Sequence, residues 1–262
     1  MIPLEKTDMR RYSAYEAFVF QERRVGAWDD ATARNLELIW KSISDMSARW
    51  LAIRARPVLN PSLPPERHLL WDVFARASEI GTGNLPFAAE IFALPRGIAL
   101  DLGCGNSGSA SEMLERGWSV VAVDCSRAAL GCLHSRHREE VAKRQLRLEA
   151  ADITEYVKVP HEPVDLVLGV DVFSYLNPGQ FQETWLKIKD LVKPEGYFVG
   201  TIFYENPADL MGSNCLEDLG AWFLQDRRMV RPLLDAAGFD VVRCTFRVGS
   251  NQAIQFLAKR KV

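Results

Sequence analysis

Residues 99–117 read ALDLGCGNSGSASEMLERG. An apolar run, Ala99 to Leu102, enters three glycines, Gly103, Gly105 and Gly108, and continues into a segment with helical character from about Ser109. Glycines at this spacing permit a tight strand-to-helix turn and the approach of a ligand to bare backbone, while the start of the helix offers amide donors. As a bare G-x-G-x-x-G string the pattern is weak evidence. It gains weight from Asp124, which closes a second apolar run, SVVAVD, 19 residues after Gly105 and is suited to accept both hydroxyls of a ribose. A helix cap for the following CSRAAL is a compatible second role for Asp124.

Outward from this loop, GIALDL, SVVAVD, LRLEAAD, VDLVLGV and GYFVGTIF alternate with amphipathic stretches. Short runs rich in Val, Ile, Leu and Ala, separated by helical segments, predict a parallel sheet covered on both faces. At the end FDVVRCTFRVG and NQAIQFLAKRK follow one another across Gly249-Ser250, which predicts an antiparallel closing pair. Before residue 96 the texture is helical. Leu36, Ile39, Trp40, Ile43, Met46, Trp50 and Ile53 fall at spacings of three and four, one stripe on a helix over 31–55. The prolines of NPSLPPE (60–66) break the helical donors and predict a linker or hinge, after which PERHLLWDVFARASEI and LPFAAEIFAL read as two further helices. The chain is therefore expected to divide into a helical extension over 1–95 and a sheet domain over 96–262.

Composition bounds the function. In 262 residues, 32 Lys and Arg stand against 34 Asp and Glu, so the net charge of -2 argues against a sequence-independent phosphate-binding surface. Residues 1–70 carry 11 basic and 9 acidic side chains, leaving 21 and 25 for the rest, so neither part is a basic arm. No nucleic-acid partner is expected. The five cysteines (Cys104, Cys125, Cys132, Cys215 and Cys244) are odd in number and include no C-x-x-C pair, which fits reduced thiols better than a disulfide framework or a zinc ribbon. With no signal-peptide core at the start and no run of about 18 apolar residues, the reading is a cytoplasmic protein with no membrane partner. Cys132, His134 and His137 lack a further ligand at suitable spacing, so no metal is expected.

Two nucleotide-binding readings share the glycine loop, and further residues separate them. DLGCG, with Asp101 two residues before the first glycine, resembles the D-x-G-x-G loop of class I S-adenosylmethionine-dependent methyltransferases. The resemblance runs from residue 97 to 261. It takes in Asp124 in VVAVDCS, Asp152 in AADIT, the fourth-strand string VDLVLGVDVFSYL, the K-P-x-G-Y turn of LVKPEGYFVGTIF and the closing hairpin. One departure is Ser107, where many members have glycine; here the third glycine falls at Gly108. The family fold implies an α/β, Rossmann-like seven-stranded sheet, mostly parallel, in the order 3-2-1-4-5-7-6 with strand 7 antiparallel.

The resemblance also assigns roles. Asp101 orients the loop and the amino group of the methionine moiety, and Gly103, Cys104 and Gly105 let S-adenosylmethionine lie against backbone. Asp124, followed by Cys125, holds the ribose. Asp152 accepts from the adenine amino group while Ile153 packs on the ring, and Asp171 reaches the methionine amine or the acceptor. A helix cap is a further reading of both Asp152 and Asp171. Methyl transfer from a sulfonium is an in-line displacement in which alignment and exclusion of water matter most, so no catalytic base is obligatory and none is assigned.

Phe173, Tyr175, Phe203, Tyr204 and Glu205 follow strands four and five and are expected to line an acceptor pocket. Tyr12, Tyr15, Phe18 and Trp28 are candidates for a lid from the helical extension. The absence of N-P-P-[YFW] after strand four, and of Pro-Cys, argues against methylation of a nucleic-acid base. The expected acceptor is a small or medium-sized molecule methylated on O, N or S. Three alternatives stand beside it: a protein side-chain methyltransferase that docks its partner on the amino-terminal helices, a non-catalytic S-adenosylmethionine-binding protein, and an NAD-dependent oxidoreductase. The last is weakened because none of the six tyrosines has lysine four residues on. A homodimer or protein partner through the amino-terminal helices is a further expectation.

Overall fold

The computed structural model describes Trp71, Ala75 and residues 85–106, 108–176, 178–203, 227–247 and 253–262. The stripe over 31–55, the linker at 60–66, Tyr12, Tyr15, Phe18, Trp28, Ser107, Tyr204, Glu205, Cys215 and the Gly249-Ser250 connection lie outside the described residues.

A short helix α1 (Ala88–Phe92) precedes β1 (Ile98–Leu102), α2 (Gly108–Glu115), β2 (Ser119–Asp124), α3 (Arg127–Arg136) and α4 (Arg138–Ala142). β3 (Leu146–Ala150), α5 (Ile153–Tyr156) and β4 (Val164–Gly169) follow, then a 3-10 turn over Phe173–Tyr175, α6 (Pro178–Leu191) and β5 (Val192–Phe203). A second 3-10 turn (Arg227–Met229), α7 (Val230–Ala236), β6 (Phe239–Arg247) and β7 (Ala253–Arg260) complete the order. The seven strands form one sheet, β3-β2-β1-β4-β5-β7-β6. β1 to β5 pair in parallel, while β7 lies antiparallel between β5 and β6. This is the expected topology.

Alternation along the strands splits the core in two. Leu100 and Leu102 of β1, Val121 and Val123 of β2, Val167 of β4 and Phe198 and Ile202 of β5 face a core built with Phe181, Trp185 and Ile188 of α6 and Leu234 of α7. Their neighbours in the strands, Ala99, Val120, Ala122, Leu166, Leu168 and Val199, face a core with Ile91 of α1, Met113 of α2 and Leu133 of α3. A period of two between two helical layers is why the central strands β1, β2 and β4 read as nearly continuous apolar runs. Ile91 lies on the amino side of the expected division at 95/96, yet it is fully buried in this sheet core.

The K-P-x-G-Y stretch departs from the expected plain turn. Val192 pairs with Val164 and Tyr197 with Leu166, so Lys193–Gly196 form an excursion inside β5. Pro194 has no N–H to give to a ladder, and Glu195 takes a positive φ of 65°. At this amino-terminal edge of the sheet Asp165 acts as a staple. Its carboxylate accepts from the Ile98 amide at 2.8 Å and from Lys193 Nζ at 2.8 Å.

Candidate functional site

Because β1 to β4 run parallel, Asp101, Asp124, Asp152 and Asp171 all fall in or just beyond the carboxyl-terminal ends of their strands, on one edge of the sheet. That edge, where the strand order reverses on either side of β1, is where ligands bind in open α/β sheets.

The glycine loop is built against the end of β2. The amides of Gly103 and Cys104 both donate to the Val123 carbonyl, at 2.8 and 3.0 Å. Gly103 has φ 65° and Gly105 φ 53°, a region open to glycine at little cost. The two glycines differ in what surrounds them. A Cβ at Gly103 would lie 2.3 Å from Val172 Cγ2, so the missing side chain admits the β4 loop. At Gly105 a Cβ would meet none of the described atoms within 4 Å, so the missing side chain leaves bare backbone facing open space.

Asp124 sets the loop's position. Its Oδ2 accepts from the Gly105 amide and its Oδ1 from the Ser126 amide, both at 2.7 Å, and the residue is 8% exposed. Asp124 and Gly105, expected from the sequence as separate contacts to one cofactor, are thus also bonded to each other directly. The helix-cap role falls to Ser126, which caps α3 by accepting from the Ala129 amide. Cys104, 2% exposed, sits beside both Asp101 and Asp124. Burial and the two carboxylates hold its thiol well above the ordinary 9.0, so it is a neutral packing group and no nucleophile. Asp101 is 2% exposed in the middle of the sheet, between Ala122 and Leu168. Cys125 is half-buried.

Asp152 does cap a helix. It accepts from the amide and hydroxyl of Thr154 at 2.9 and 2.8 Å at the start of α5. Ile153 is buried in the core beside Leu102 and Val123. Asp171, at the turn after β4, takes φ 54°, which a non-glycine residue adopts only under restraint. Thr201 of β5 supplies that restraint, since its hydroxyl accepts from the Asp171 amide and donates to Asp171 Oδ1 at 2.8 Å.

The aromatic residues after β4 part company. Phe173 is a core residue, 0% exposed: its ring lies 5.3 Å from Trp185 and 5.8 Å from Phe198, and it fills the space that a side chain at Gly169 would need. Tyr175, also buried, meets Phe203 edge to face at 5.6 Å. Trp71, absent from the residues picked out by sequence, packs edge to face on Tyr175 at 5.0 Å. Ala75 packs on Ala128 and Ala129 at the start of α3, and its carbonyl accepts from Asn106 Nδ2 at 3.4 Å. Asn106 Oδ1 in turn accepts from Arg136 Nη2 at 2.9 Å. Ahead of the sheet, Ala75 thus touches the glycine loop and Trp71 the 3-10 turn after β4. His137 is spent on Ser111 (2.7 Å), and His161 stacks on Tyr156.

Residues 99–196 match the family model described as Methyltransferase domain. Over 125 residues the chain is 30% identical to the probable cobalt-precorrin-6B C(15)-methyltransferase (decarboxylating) of Methanothermobacter thermautotrophicus, covering 47% of this chain and 60% of that protein. The chain thus spans under two thirds of the length of this curated relative. Among solved structures, the Burkholderia thailandensis 1,6-didemethyltoxoflavin-N1-methyltransferase, with its substrate and S-adenosylhomocysteine bound, superposes with a TM-score of 0.52 at 20% identity, over 68% of this chain and 77% of that one. The [4+2]-cyclase SpnF superposes equally well, TM-score 0.52 at 14% identity over 67% and 78% of the two chains. At such identities the likeness establishes the fold, and the cyclase shows that one fold serves more than one reaction.

Proposed function

We propose that this chain, which carries a class I S-adenosylmethionine-dependent methyltransferase domain, transfers the methyl group of S-adenosylmethionine to an O, N or S atom of a small or medium-sized acceptor. The observation that carries the proposal is the bare backbone of Gly105, held by Asp124 at the carboxyl edge of the sheet and facing open space. That arrangement fits an adenosyl ligand: a carboxylate accepts about four hydrogen bonds, enough for ribose hydroxyls as well as two amides.

In this reading Gly103, Cys104 and Gly105 form the floor under the methionine and ribose, Asp124 receives the ribose, and Asp152 stands on the adenine side. Asp101 and Asp171 offer negative charge toward the methionine amine. When bound, the cofactor supplies a sulfonium carbon already attached to a good leaving group. The residues of this chain bind, orient and exclude water, and a fixed carboxylate base is not required. Tyr175 and Phe203, which pack on each other with Trp71 on Tyr175, remain the proposed border of the acceptor's approach beyond β4 and β5. A cytoplasmic setting fits free thiols at Cys104, Cys125, Cys132 and Cys244. Among the described residues no helix is long and apolar enough to cross a membrane. Of the helical extension over 1–95, Leu85 and Ile91 belong to the sheet core, and the residues ahead of them are proposed as a lid or docking region.

The test is a calorimetric titration of the full chain with S-adenosylhomocysteine and, separately, with NAD, followed by a screen for methyl transfer to a metabolite panel. Saturable binding of S-adenosylhomocysteine is expected, and NAD is expected to give no heat. Binding of NAD alone would overturn the cofactor assignment; tight binding without turnover on any acceptor would favour a cofactor-binding protein.

A further inference from the structure

We propose that the amino-terminal edge of the sheet, opposite the edge that carries the glycine loop, holds a second binding site. It is a cavity between the ends of α1 and α2 that takes a small organic anion, a carboxylate or phosphate ester on an apolar body. The site lies beyond the methyltransferase reading and does not depend on it.

Two turns of the chain build the cavity. At the end of α2 the Trp118 amide donates to the Met113 carbonyl at 3.0 Å and the Gly117 amide to the Leu114 carbonyl at 2.9 Å, with Gly117 at φ 83°. This glycine-capped helix end turns the chain back on itself and delivers Trp118, 1% exposed, to the core beside Met113 and Ile91. α1 ends at Phe92, and Leu94, Pro95 and Arg96 lead from it toward β1. The Ser119 amide donates to the Gly97 carbonyl at 3.0 Å, so the two turns lie side by side where β1 and β2 begin. Between them is a cavity of about 460 Å³ lined by Phe92, Leu94, Pro95, Arg96, Arg116 and Trp118. Sites for small molecules occupy about 300–1,000 Å³.

The two arginines set the charge of the occupant. Arg96 lies across the bare turn at Gly117, where a Cβ would stand 3.3 Å from its Cδ and 3.7 Å from its Cζ. Arg116 carries its guanidinium carbon 4.8 Å from the centre of the Phe92 ring. Both arginines are exposed, and no acidic side chain lines the cavity. Among the described residues neither forms an ion pair, whereas Glu90 of α1 and Asp165 of the same sheet edge are taken by Arg243 and Lys193. Two guanidiniums thus border one cavity without a counter-charge, and the guanidinium fork matches the paired oxygens of a carboxylate or phosphate. Phe92, Leu94 and Pro95, with the indole of Trp118, add apolar surface that an inorganic ion would leave unused. The five residues of β1 span about 16 Å, so an occupant here is clear of the glycine loop.

The test uses the full chain, with and without saturating S-adenosylhomocysteine. Calorimetry and saturation-transfer NMR are run with phenyl phosphate and phenylacetate, and against them with benzyl alcohol and inorganic phosphate. Saturable binding of an aryl anion is expected whether or not S-adenosylhomocysteine is present, with benzyl alcohol and inorganic phosphate at least about tenfold weaker. Arg96→Gln and Arg116→Gln are each expected to lose about tenfold, the scale of one charge-assisted hydrogen bond, with Tm unchanged because both side chains are exposed. Arg138→Gln removes the same charge from the exposed start of α4 and is expected to alter nothing. Silence of both aryl anions, equal binding of benzyl alcohol, displacement by S-adenosylhomocysteine, or full affinity in a folded Arg96→Gln/Arg116→Gln double variant would each overturn the proposal. An equal loss in Arg138→Gln would do the same, since it would reduce the effect to net charge. Failure of the chain to bind S-adenosylhomocysteine would strike the methyltransferase reading alone.

Discussion

Gly103 and Gly105 stand two residues apart in one loop, share a left-handed backbone, and are expected to respond to alanine in opposite ways. The common cost is conformational: an L side chain near φ 53–65° is strained by about 1–2 kcal/mol. At Gly105 that is the whole folding cost, because no described atom lies within 4 Å of the new methyl. At Gly103 the methyl meets Val172 Cγ2 at 2.3 Å and Val172 Cβ at 2.9 Å. Valine is stiff about χ1 and cannot swing clear, which adds about 1–3 kcal/mol of overpacking. Gly103→Ala should therefore lose about 2–5 kcal/mol, and Gly105→Ala about 1–2 kcal/mol. For a domain of this size each kcal/mol moves Tm by about 2–4 °C. Binding should rank the other way, since the methyl at Gly105 projects into the open space assigned to the cofactor. Urea unfolding measures the first quantity and calorimetry with S-adenosylhomocysteine the second. If Gly105→Ala binds S-adenosylhomocysteine as well as the wild type does, the open face of Gly105 is not the cofactor floor, and the assignment of the site falls with it.

Asp124→Ala removes two carboxylate-to-amide bonds from a buried site and should cost about 2–4 kcal/mol of stability together with about 1.5–3 kcal/mol of affinity for S-adenosylhomocysteine; a loss of neither would mean that Asp124 does not organise the loop. Cys104 should resist iodoacetamide at pH 8 in the folded chain while half-buried Cys132 reacts, as mass spectrometry of the peptides would report. Because the folded thiol is raised above 9.0, the unfolded chain releases that proton first, and Cys104 should draw stability down as pH climbs past about 9, an effect absent in Cys104→Ala. Asp165 has the opposite sign. Partial burial pushes its pKa up, but the bonds from Lys193 and the Ile98 amide outweigh this and leave it below 3.8. Its contribution is complete above that value and is lost as pH falls through the folded one, so a melt at pH 3 should separate Asp165→Asn from the wild type less than a melt at pH 7 does.

The sheet was legible because its central strands lie between two helical layers and so spell nearly uninterrupted apolar runs, and the hairpin was legible because two strand-like runs met with no helix between them. The carboxyl edge was legible for a related reason: in a parallel sheet every residue that closes a run is delivered to the same side, so Asp124, Asp152 and Asp171 could be grouped without coordinates. Side-chain direction within a turn was not legible. Phe173 and Tyr175 are two residues apart in a single 3-10 turn, yet one packs on Trp185 and Phe198 and the other on Phe203 and Trp71. The signal that could have separated them is Gly169, four residues before Phe173, whose missing side chain is the space the ring occupies. Trp71 was missed because its contact with Tyr175 spans about a hundred residues of chain, and helical periodicity says that a residue is on a buried face without saying what covers it. The bond between Asn106 and Arg136 is of the same kind, since its |i−j| of 30 leaves no local pattern.

The two edges of the sheet use charge differently, and this bears on how the site can bind without coming apart. At the amino edge Asp165 ties β4 to β1 and β5 through one amide and one exposed lysine, a staple on regular structure. At the carboxyl edge Asp124, Asp152 and Asp171 each accept from a nearby backbone amide or hydroxyl and fix a turn: the glycine loop, the start of α5 and the left-handed bend after β4. A carboxylate employed in this way is held in place before any ligand arrives, so hydrogen bonds to a ribose or an amine are gained without ordering the side chain first. Such preorganisation suits a reaction that depends on alignment more than on proton transfer. It also explains why residues that close strands could mark the binding edge in the sequence, whereas no local pattern marks an acceptor.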